Sequence, residues 1–557
     1  MPESSSTEST CADRRDSRLL TLLLVILSGV AWLLSWPPLD LWAMSFLWAA
    51  LLIRAAIGAR GAWWLAACCL VVYALAWAWL VRWSSNVSVP GFPAMAIYSG
   101  LWMVFFAVVY RRIQRMEVNW PMAITAPIAW LAMEYLRAEI MFGAWPWYLA
   151  GLPLVNWPVL VQVADLGGVW MASLLVVCIG AALAEWMRPR PRVRRAWIST
   201  VVAGVFLLFT ITYGLVRLSA PEGPVLGRVL LVQTNLPLDN KLGWSFENQL
   251  EDVGGFMDLT ASGLSDAGGA DLVVWPEAML PGIGFNQDIS RALDDRGEMG
   301  EWLRFWPRRM RAFVEGVGTP VLTGTDTWSG ELETRGEDES RWLASTIRYN
   351  SATLLDDGPV QSYHKVFPTP FGERLPWIDA WPWLREKLLD LGARGMVLNL
   401  DPGPEPVLLE LDGPGDGSLL MSTPICFEAT IPSVTRDLAR PAGATRVADV
   451  LVNLTNDGWL GDVDGARVAH AQAARFRTIE LRRPMLRCVN TGQTAWYDSS
   501  GREVASLPMR EPGCLLAEPR ADSRRTLYGL IGNLVPMICL ALAALLFLLT
   551  FLRPRST

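Results

Sequence analysis

The side chain best placed for covalent chemistry is Cys426, in the stretch PICFEAT at residues 424–430. The apolar run SLLMS before it predicts a buried β-strand, so the thiol stands just beyond a strand end. A free thiol has a pKa of about 8.5, and without an activating neighbour little of it is ionised at neutral pH. Histidine is the usual activator, but the 557 residues include only His364 and His470.

Glu277 and Lys365 mark two further strand ends, in DLVVWPE and SYHKVFP. A buried carboxylate at 277 could accept the thiol proton as a general base. An ammonium at 365, with a backbone N–H near Cys426, could stabilise the negative oxygen that forms when a thiolate attacks a carbonyl. Only three of the 48 basic residues are lysines, which favours a specific need for a compact ammonium at this position.

Each of these residues also has a structural interpretation. A carboxylate after a strand often caps a helix, a cysteine packs in cores, and a lysine lies at the surface. The histidines are weaker candidates for the base. Because side chains alternate along a strand, His364 faces away from a site that Lys365 faces, and His470 falls in a helical pattern that favours packing or a polar network.

Long apolar runs predict membrane spans. Apolar residues make up 52% of the chain, which is too much for an ordinary soluble protein. Crossing a hydrocarbon layer of about 30 Å takes roughly 20 helical residues. Eight spans are predicted, near residues 19–36, 39–53, 61–81, 91–110, 121–137, 158–187, 197–217 and 527–552. The second is short and is also compatible with a re-entrant hairpin.

The distribution of arginine predicts the orientation. Arginines cluster before the first span and after the second, fourth, sixth and eighth, and basic residues near span ends stay in the cytoplasm. Both termini are therefore predicted to be cytoplasmic, with the long segment on the far side of a bacterial inner membrane. The predicted divisions are a disordered tail (1–18), a membrane domain of seven spans (19–219), a periplasmic catalytic domain (220–524), and a final span with a short tail (525–557).

The segment 220–524 alternates short apolar strands with polar helices, which predicts an α/β fold with its sheet covered on both faces. In such folds side chains gather beyond the strand ends. The net charge of −6 provides no basic face for nucleic acid. The sequence has no CxxC motif or Cys/His cluster, so neither a metal nor another cofactor is predicted.

Several motifs in this segment resemble those of the carbon–nitrogen hydrolase (nitrilase) superfamily. They occur in the order VQTNLPLDNKLGW, VVWPEAMLP, YNSA, YHKVFPTPFGERLP, ICFE, NLTNDGWLG and RRPMLRCVNTGQTA. The resemblance implies an αββα sandwich and a Glu-Lys-Cys triad. With the predicted spans added, the chain is similar to the apolipoprotein N-acyltransferase family over all but its N-terminal tail.

The resemblance implies that Glu277 is the general base, Lys365 the oxyanion stabiliser and Cys426 the nucleophile. The supporting residues that it implies are Glu373, Glu428, Tyr349, Asn350 and Asn456, and those at a lipid entrance are Trp244, Phe427 and Trp459. Glu373 and Glu428 are expected to hold Lys365 and the loop around Cys426, or to be purely structural pairs. Trp244 and Trp459 could equally be packing residues.

The implied reaction takes an acyl chain from a phospholipid, commonly phosphatidylethanolamine. It passes the chain through a cysteine thioester to the α-amino group of the diacylglyceryl-cysteine that begins an apolipoprotein. The expected partners are therefore phospholipid, apolipoproteins and the bilayer, and a monomer is expected. The apolar loops 279–285, 366–384 and 458–461 are predicted to dip into lipid or to gate it.

The sequence departs from the family pattern at a few positions. Ala278 stands where threonine is common, His364 where a small polar residue is usual, and Phe427 where tyrosine is frequent, and a polar insertion at 328–342 lengthens a loop. Two alternatives stay open. One is a membrane-anchored amidase or nitrilase with the same triad. The other is a non-catalytic polytopic binding or transport protein, whose spans would carry paired charges such as Glu134, Arg137 and Glu139.

Overall fold

A computed structural model describes residues 16–116, 120–189, 191–237, 243–335, 342–374, 400–412 and 417–552, together with residues 381, 383 and 387. Most of the predicted N-terminal tail and residues 553–557 lie outside these ranges. The first half of the described chain is helical. Its helices are α1 (Arg18–Leu34), α2 (Met44–Gly58), α3 (Ala62–Leu80), α4 (Gly91–Gln114), α5 (Met122–Tyr135), α6 (Pro158–Val161), α7 (Ala164–Gly167), α8 (Val169–Trp186) and α9 (Val193–Leu218).

Among the described residues, five helices are long and apolar enough to cross a membrane, namely α3, α4, α8, α9 and the final helix Leu534–Leu552. They coincide with five of the eight predicted spans. The other three predicted spans coincide with α1, α2 and α5, which have 17, 15 and 14 residues. The lengths of the helices therefore do not establish that the chain has eight membrane spans. The predicted span 158–187 is divided into α6, α7 and α8.

The outward faces of these helices are apolar. On α9, Val205 is 63% exposed and Leu208 is 65% exposed, and on the final helix Leu548 is 60% exposed. Contiguous apolar surface of this kind is unstable in water and stable in hydrocarbon. The chain is accordingly a membrane protein.

The second half of the described chain contains twelve strands in two six-stranded sheets. The strands of the first sheet are β1 (Val229–Gln233), β2 (Leu272–Val274), β3 (Val321–Arg335), β4 (Trp342–Leu355), β5 (Gln361–His364) and β12 (Gly513–Ala517), in the order β12-β1-β2-β3-β4-β5. Those of the second are β6 (Leu409–Asp412), β7 (Ser418–Ser422), β8 (Val450–Thr455), β9 (Met485–Val489), β10 (Ala495–Tyr497) and β11 (Glu503–Ser506), in the order β11-β10-β9-β8-β7-β6.

The central strands are parallel in both sheets, as β1-β2-β3 and as β7-β8-β9. Apolar side chains of the two sheets share one core, in which Leu231 and Val274 meet Met421 and Val452. Helices α10 (Phe246–Ala267), α11 (Gln287–Ala292), α12 (Gly297–Leu303) and α13 (Phe305–Val317) follow the first strands, and α14 (Pro432–Ala439) and α15 (Asp464–Leu481) follow β7 and β8. Helices α10 and α13 cover the first sheet, and α14 and α15 cover the second. The predicted αββα sandwich is confirmed.

Two local predictions are wrong. The insertion at 328–342 is not a loop in its described part, because β3 continues to Arg335 and β4 begins at Trp342. The pairing shifts register only once, between Ser329 and Leu332. The stretch 279–285 does not dip into lipid, because Met279 and Leu280 are at most 2% exposed and pack beneath α13. Parts of 366–384 lie outside the described residues, although Phe371 and Trp383 there are exposed.

Helix α15 lies between the second sheet and the membrane helices, which explains why polar side chains on it are buried. Its apolar residues Ala469 and Phe476 belong to the same core cluster as the membrane-domain tryptophans. Glu480 accepts a hydrogen bond at 2.7 Å from the backbone N–H of Val169, the first residue of α8. Nearby, the Ser433 hydroxyl donates to Glu139 at 2.5 Å. The sandwich therefore packs against the helical region and is hydrogen-bonded to it.

Arg482, directly after α15, makes the most extensive of these contacts. Its guanidinium is fully buried and donates to Asp165 on α7 at 2.7 and 3.1 Å and to Gln162 at 2.7 Å. Asp165 also accepts from Tyr213 and Arg217 of α9, both at 2.7 Å. One carboxylate thus connects α7, α9 and the sandwich.

Replacing Arg482 with methionine is expected to destabilise the protein by about 2–4 kcal/mol, because one partner of a buried ion pair is lost while Asp165 stays buried. The measurement is the midpoint of thermal unfolding in detergent. The control is Arg446→Met, whose pair with Asp449 is half exposed and worth less than about 1 kcal/mol. Equal midpoints for the two variants would contradict the expectation.

Candidate active site

The chemistry-bearing residues meet at the carboxyl ends of the strands. Glu277 comes three residues after β2, Lys365 directly follows β5, Cys426 comes four residues after β7, and Asn456 directly follows β8. Asn350 lies on β4, opposite Asp326 of β3. Because the central strands of each sheet are parallel and the sheets pack face to face, these ends can converge on one pocket.

Glu277 is held by three groups and is 6% exposed. Its Oε1 accepts a hydrogen bond from Asn350 Nδ2 at 2.7 Å, and its Oε2 accepts one from the backbone N–H of Asn456 at 2.8 Å. Lys365 Nζ lies 3.7 Å from Oε1. The carboxylate therefore has a fixed orientation, and two of the five predicted supporting residues, Asn350 and Asn456, contact it.

Lys365 is 1% exposed and pairs mainly with Glu373, whose Oε2 lies 2.7 Å from Nζ. Burial alone would lower the pKa of Lys365, but the Glu373 and Glu277 carboxylates outweigh it and raise that pKa. Burial would raise the pKa of Glu373, and Lys365 outweighs it in turn and lowers that pKa. Asn350 Nδ2 also donates to Glu373, at 2.9 Å. An ammonium between two carboxylates is thus fixed in its charged form.

Cys426 begins a 3₁₀ turn and is 4% exposed. Its φ is +50°, a left-handed conformation that is uncommon for a residue with a Cβ. Burial raises the pKa of the Cys426 thiol, the Glu277 carboxylate raises it further, and Lys365 only partly opposes them. The resting sulfur therefore carries its proton, and an attack on a carbonyl needs a base to remove it.

Glu428 contacts the loop around Cys426, whereas the contact with Lys365 is made by Glu373. Among the described contacts Glu428 makes no hydrogen bond or ion pair with Lys365. It accepts from the Tyr363 hydroxyl at 2.7 Å and from the backbone N–H groups of Phe367 and Ile425 at 3.0 and 2.8 Å. Burial raises the pKa of Glu428 to about 7. Glu428 thus ties the loop after β5 to the residue before Cys426, while Glu373 alone pairs with the lysine.

Tyr349 and His364 lie together, apart from the triad. Their rings stack at 4.4 Å, and His364 Nδ1 is 2.7 Å from the Ser351 hydroxyl. Burial lowers the pKa of His364. Because side chains alternate along β4, Tyr349 faces the opposite side from Asn350. Within the described part of the chain neither ring makes a hydrogen bond or stacking contact with Glu277, Lys365 or Cys426, so Tyr349 supports the site only through its strand.

The three predicted lipid-entrance residues occupy different places. Trp244 packs beside α10 and donates to Asp252 at 2.7 Å. Phe427 is 4% exposed and stacks with Phe367 at 6.4 Å, in the apolar contact with the membrane helices. Trp459 is half buried, and its ring lies against Gly372 of the loop that carries Glu373. A role for them at an entrance stays a prediction.

Sequence reasoning missed several residues of this region. Asn490, after β9, donates to the Asn456 side chain at 3.0 Å and so supports the group that holds Glu277. Thr369 donates its backbone N–H to Glu373 at 2.6 Å. Arg487 was also missed; it joins Asp457 and His470 in a buried cluster close by, which is the polar network expected for His470. The position of Asn490 just beyond a strand end was the only available signal for it.

Replacing Glu373 with glutamine is expected to slow acylation of Cys426 about 10- to 100-fold, a change of roughly 1.4–2.7 kcal/mol in the barrier. Without its nearer carboxylate, Lys365 moves toward Glu277. This shift engages the base in an ion pair and takes the ammonium away from the position in which it stabilises the oxyanion. The measurement is the single-turnover rate of acyl-enzyme formation. Glu331→Gln, at an exposed position on the β3-β4 hairpin, is the control and keeps the wild-type rate. An unchanged rate for Glu373→Gln would contradict this reasoning.

Comparisons with known proteins agree with this architecture. A model of the apolipoprotein N-acyltransferase N-terminal domain matches residues 28–182, and the carbon-nitrogen hydrolase model matches residues 231–527. An apolipoprotein N-acyltransferase of Geobacter metallireducens is 29% identical over 476 residues, which cover 84% of this chain and 81% of the relative. One of Bradyrhizobium diazoefficiens is 32% identical over 419 residues, which cover 74% of this chain and 70% of the relative.

Among solved structures, an amidase from Nesterenkonia sp. is 19% identical with a TM-score of 0.33, over 55% of this chain and 95% of that chain. The two family models fall on the helical region and on the sandwich, and the second model alone matches more than half of the chain. The chain therefore belongs to the apolipoprotein N-acyltransferase family, with a carbon-nitrogen hydrolase domain as its sandwich.

Proposed function

We propose that this protein moves a fatty acyl chain from a phospholipid, through a thioester on Cys426, to the α-amino group of the N-terminal diacylglyceryl-cysteine of apolipoproteins. One observation carries the proposal: a buried cysteine follows a strand end, as do the buried Glu277 and Lys365 that lie 3.7 Å from each other, in a sandwich that packs on apolar helices. Family membership supports both substrates, since the relatives are named for lipoprotein acylation.

In the first half-reaction Glu277 takes the proton from Cys426 Sγ, and the sulfur attacks the carbonyl carbon of the sn-1 ester. The carbonyl oxygen becomes an oxyanion, which Lys365 Nζ and a backbone N–H near Cys426 stabilise. When the C–O bond breaks, the departing glycerol oxygen takes the proton from Glu277. The products are a lysophospholipid and an S-acyl cysteine.

In the second half-reaction the α-amine of the lipoprotein cysteine attacks the thioester carbonyl. Glu277 removes a proton from the attacking nitrogen, and the same ammonium at Lys365 stabilises the second tetrahedral oxyanion. The C–S bond breaks, and the proton returns to sulfur. An amide forms and the enzyme is regenerated, so one carboxylate and one ammonium serve both steps.

Water must be kept from the thioester, because hydrolysis would waste the acyl chain. Cys426 is almost fully buried, and Phe427 beside it packs against the membrane helices. The acyl chain therefore needs an apolar path from the bilayer, which the proximity of these helices can supply.

The orientation assigned below rests on the arginine distribution, and the donor and the monomeric state are the expectations stated from the family resemblance. The acyl donor is phosphatidylethanolamine, the protein is a monomer of the bacterial inner membrane, both termini are cytoplasmic, and the sandwich is periplasmic. A membrane-impermeant maleimide applied to spheroplasts is expected to label Ser506→Cys, on β11, and to spare Val193→Cys, at the start of α9. Both positions are exposed. The opposite labelling would reverse the orientation.

The function is tested by intact-mass measurement of the purified protein after incubation with phosphatidylethanolamine of one defined sn-1 chain. The expected gain is one acyl group of that chain, which neutral hydroxylamine removes and a diacylglyceryl-cysteine peptide accepts. A gain that resists hydroxylamine would place the acyl group on an atom other than sulfur. No gain, with small amides hydrolysed instead, would favour an amidase.

A further inference from the structure

Asp457, His470 and Arg487 form a buried polar cluster that the mechanism does not use. Asp457 Oδ1 is 2.8 Å from His470 Nδ1, and Asp457 Oδ2 is 3.0 Å from Arg487 Nη2. The three side chains are at most 3% exposed. Burial would raise the pKa of Asp457, but His470 and Arg487 outweigh it and hold that pKa below its ordinary range. The cluster therefore contains an ionised carboxylate.

The cluster is connected to the segment that carries Cys426. Arg487 Nη1 donates to Asn453 Oδ1 at 2.5 Å, and Asn453 Nδ2 donates to the carbonyl of Pro424 at 2.8 Å. Thr455 Oγ1 also donates to Asp457 Oδ1, at 3.3 Å. A hydrogen-bonded route thus leads from the cluster to Pro424, two residues before the strained Cys426.

The cluster also contacts the membrane domain. The indole of Trp147 stacks on the His470 ring, with centroids 5.4 Å apart and planes 21° from parallel. Trp147 is itself held, since its carbonyl accepts from Arg137 Nη1 at 2.8 Å. His470 is therefore the one member of the cluster that touches both the carboxylate and an aromatic ring of the helical region.

We propose that His470 is a positioning residue for acyl transfer: by donating from Nδ1 to Asp457 it holds the strand end that keeps Cys426 in its left-handed conformation, and Trp147 couples this support to the membrane domain. The inference rests on the proposed function, because it concerns the geometry of the same nucleophile. A positive φ at a residue with a Cβ persists only where its surroundings hold it, and these contacts supply that support.

Two isosteric substitutions test the role of Nδ1. In asparagine the amide nitrogen is two bonds from Cβ, as Nδ1 is in histidine, so it can still donate to Asp457. In glutamine the amide nitrogen is three bonds from Cβ and corresponds to Nε2 of histidine. That Nε2 has no hydrogen-bond partner among the described residues. His470→Asn is expected to acylate Cys426 within about threefold of the wild-type rate. His470→Gln is expected to be about 30-fold slower with an unchanged KM for the phospholipid, since a misplacement of about 1 Å can cost about 100-fold in rate.

Trp147 is tested in the same assay, single-turnover acylation followed by intact mass. Trp147→Phe keeps a stacking ring and the wild-type rate, whereas Trp147→Ala is expected to be about threefold slower, no more than His470→Asn, which loses the same stacking contact. Combined with His470→Gln, Trp147→Ala is expected to add less than its own effect, because both act through the same contact. The control is Trp157→Ala, at an exposed tryptophan that packs on Trp42 and keeps the wild-type rate.

Equal rates for His470→Asn, His470→Gln and wild type would overturn the proposal. So would equal slowing of both variants in proportion to a lowered unfolding midpoint, because that result indicates a role in stability alone. Failure of the proposed function looks different: the wild-type protein itself then forms no hydroxylamine-sensitive acyl adduct.

Discussion

Replacing Cys426 with alanine is expected to abolish the acyl adduct and to reduce transfer to the diacylglyceryl-cysteine peptide by at least about 10⁴-fold, as expected when a covalent nucleophile is removed. No neighbouring thiol can substitute. Cys488 is fully buried between the sheets, with its Sγ directed at the carbonyls of Val232 and Val274, and Cys514 packs under α10. The reaction therefore has a single sulfur on which to hold the chain.

The measurement follows the acylated protein and the acylated peptide in one sample. The matched control is Cys514→Ser, a half-buried position outside the site, which is expected to keep the wild-type rate. Cys426→Ser adds a second comparison, because a hydroxyl has the same shape but ionises far less readily than a thiol. Transfer to the peptide by Cys426→Ala at a tenth of the wild-type rate or more would contradict a covalent route and favour direct attack of the amine on the ester.

The positions of Glu277, Lys365 and Cys426 beyond strand ends could be predicted from the sequence, because each follows a strand with a clear apolar pattern, and their catalytic roles stay a prediction. Parallel strands bring their carboxyl ends to one edge, so residues 277, 365 and 426 could be grouped before any coordinates were available. The roles of Glu373 and Glu428 could not be separated in the same way. Both stand a few residues from a triad member, and only the fold shows that Glu373 reaches the lysine while Glu428 binds backbone N–H groups.

The hydropathy of the stretch 279–285 led to a wrong prediction of its surroundings. The stretch 279–285 is as apolar as a membrane-facing loop, but it is buried under α13, because an α/β sandwich also covers its loops with helices. Periodicity likewise could not show that α15 has two buried sides. That helix carries His470, Gln472, Arg477 and Glu480 at positions that would be solvent-facing in a soluble domain, and here they face the membrane domain or the site.

This second buried side links stability to catalysis. Asn456 and Asp457 lie on consecutive positions after β8, and the first holds the base while the second belongs to the cluster behind the nucleophile. The helix that supplies His470 to that cluster is the one seated on α8 and α7. Loosening the contact between the domains is therefore expected to affect the rate of acylation as well as the unfolding midpoint.

Replacing Glu277 with glutamine is expected to slow both half-reactions by at least about 10³-fold, because the amide keeps the shape of the side chain but cannot accept the proton of the thiol or of the amine. Glu277 accepts hydrogen bonds from Asn350 and from the backbone of Asn456, so an amide nitrogen must also face one of these donors. The loss therefore contains a geometric part, which has to be measured separately from the loss of the base.

Asn350→Leu isolates that geometric part, because it removes the donor to Glu277 without adding a charge and leaves the Glu277 carboxylate able to take a proton. Its rate is expected to fall between those of Glu277→Gln and wild type. If Glu277→Gln acylated within tenfold of wild type, the proton would have to leave Cys426 by another route, and the base would have to be sought elsewhere in the pocket.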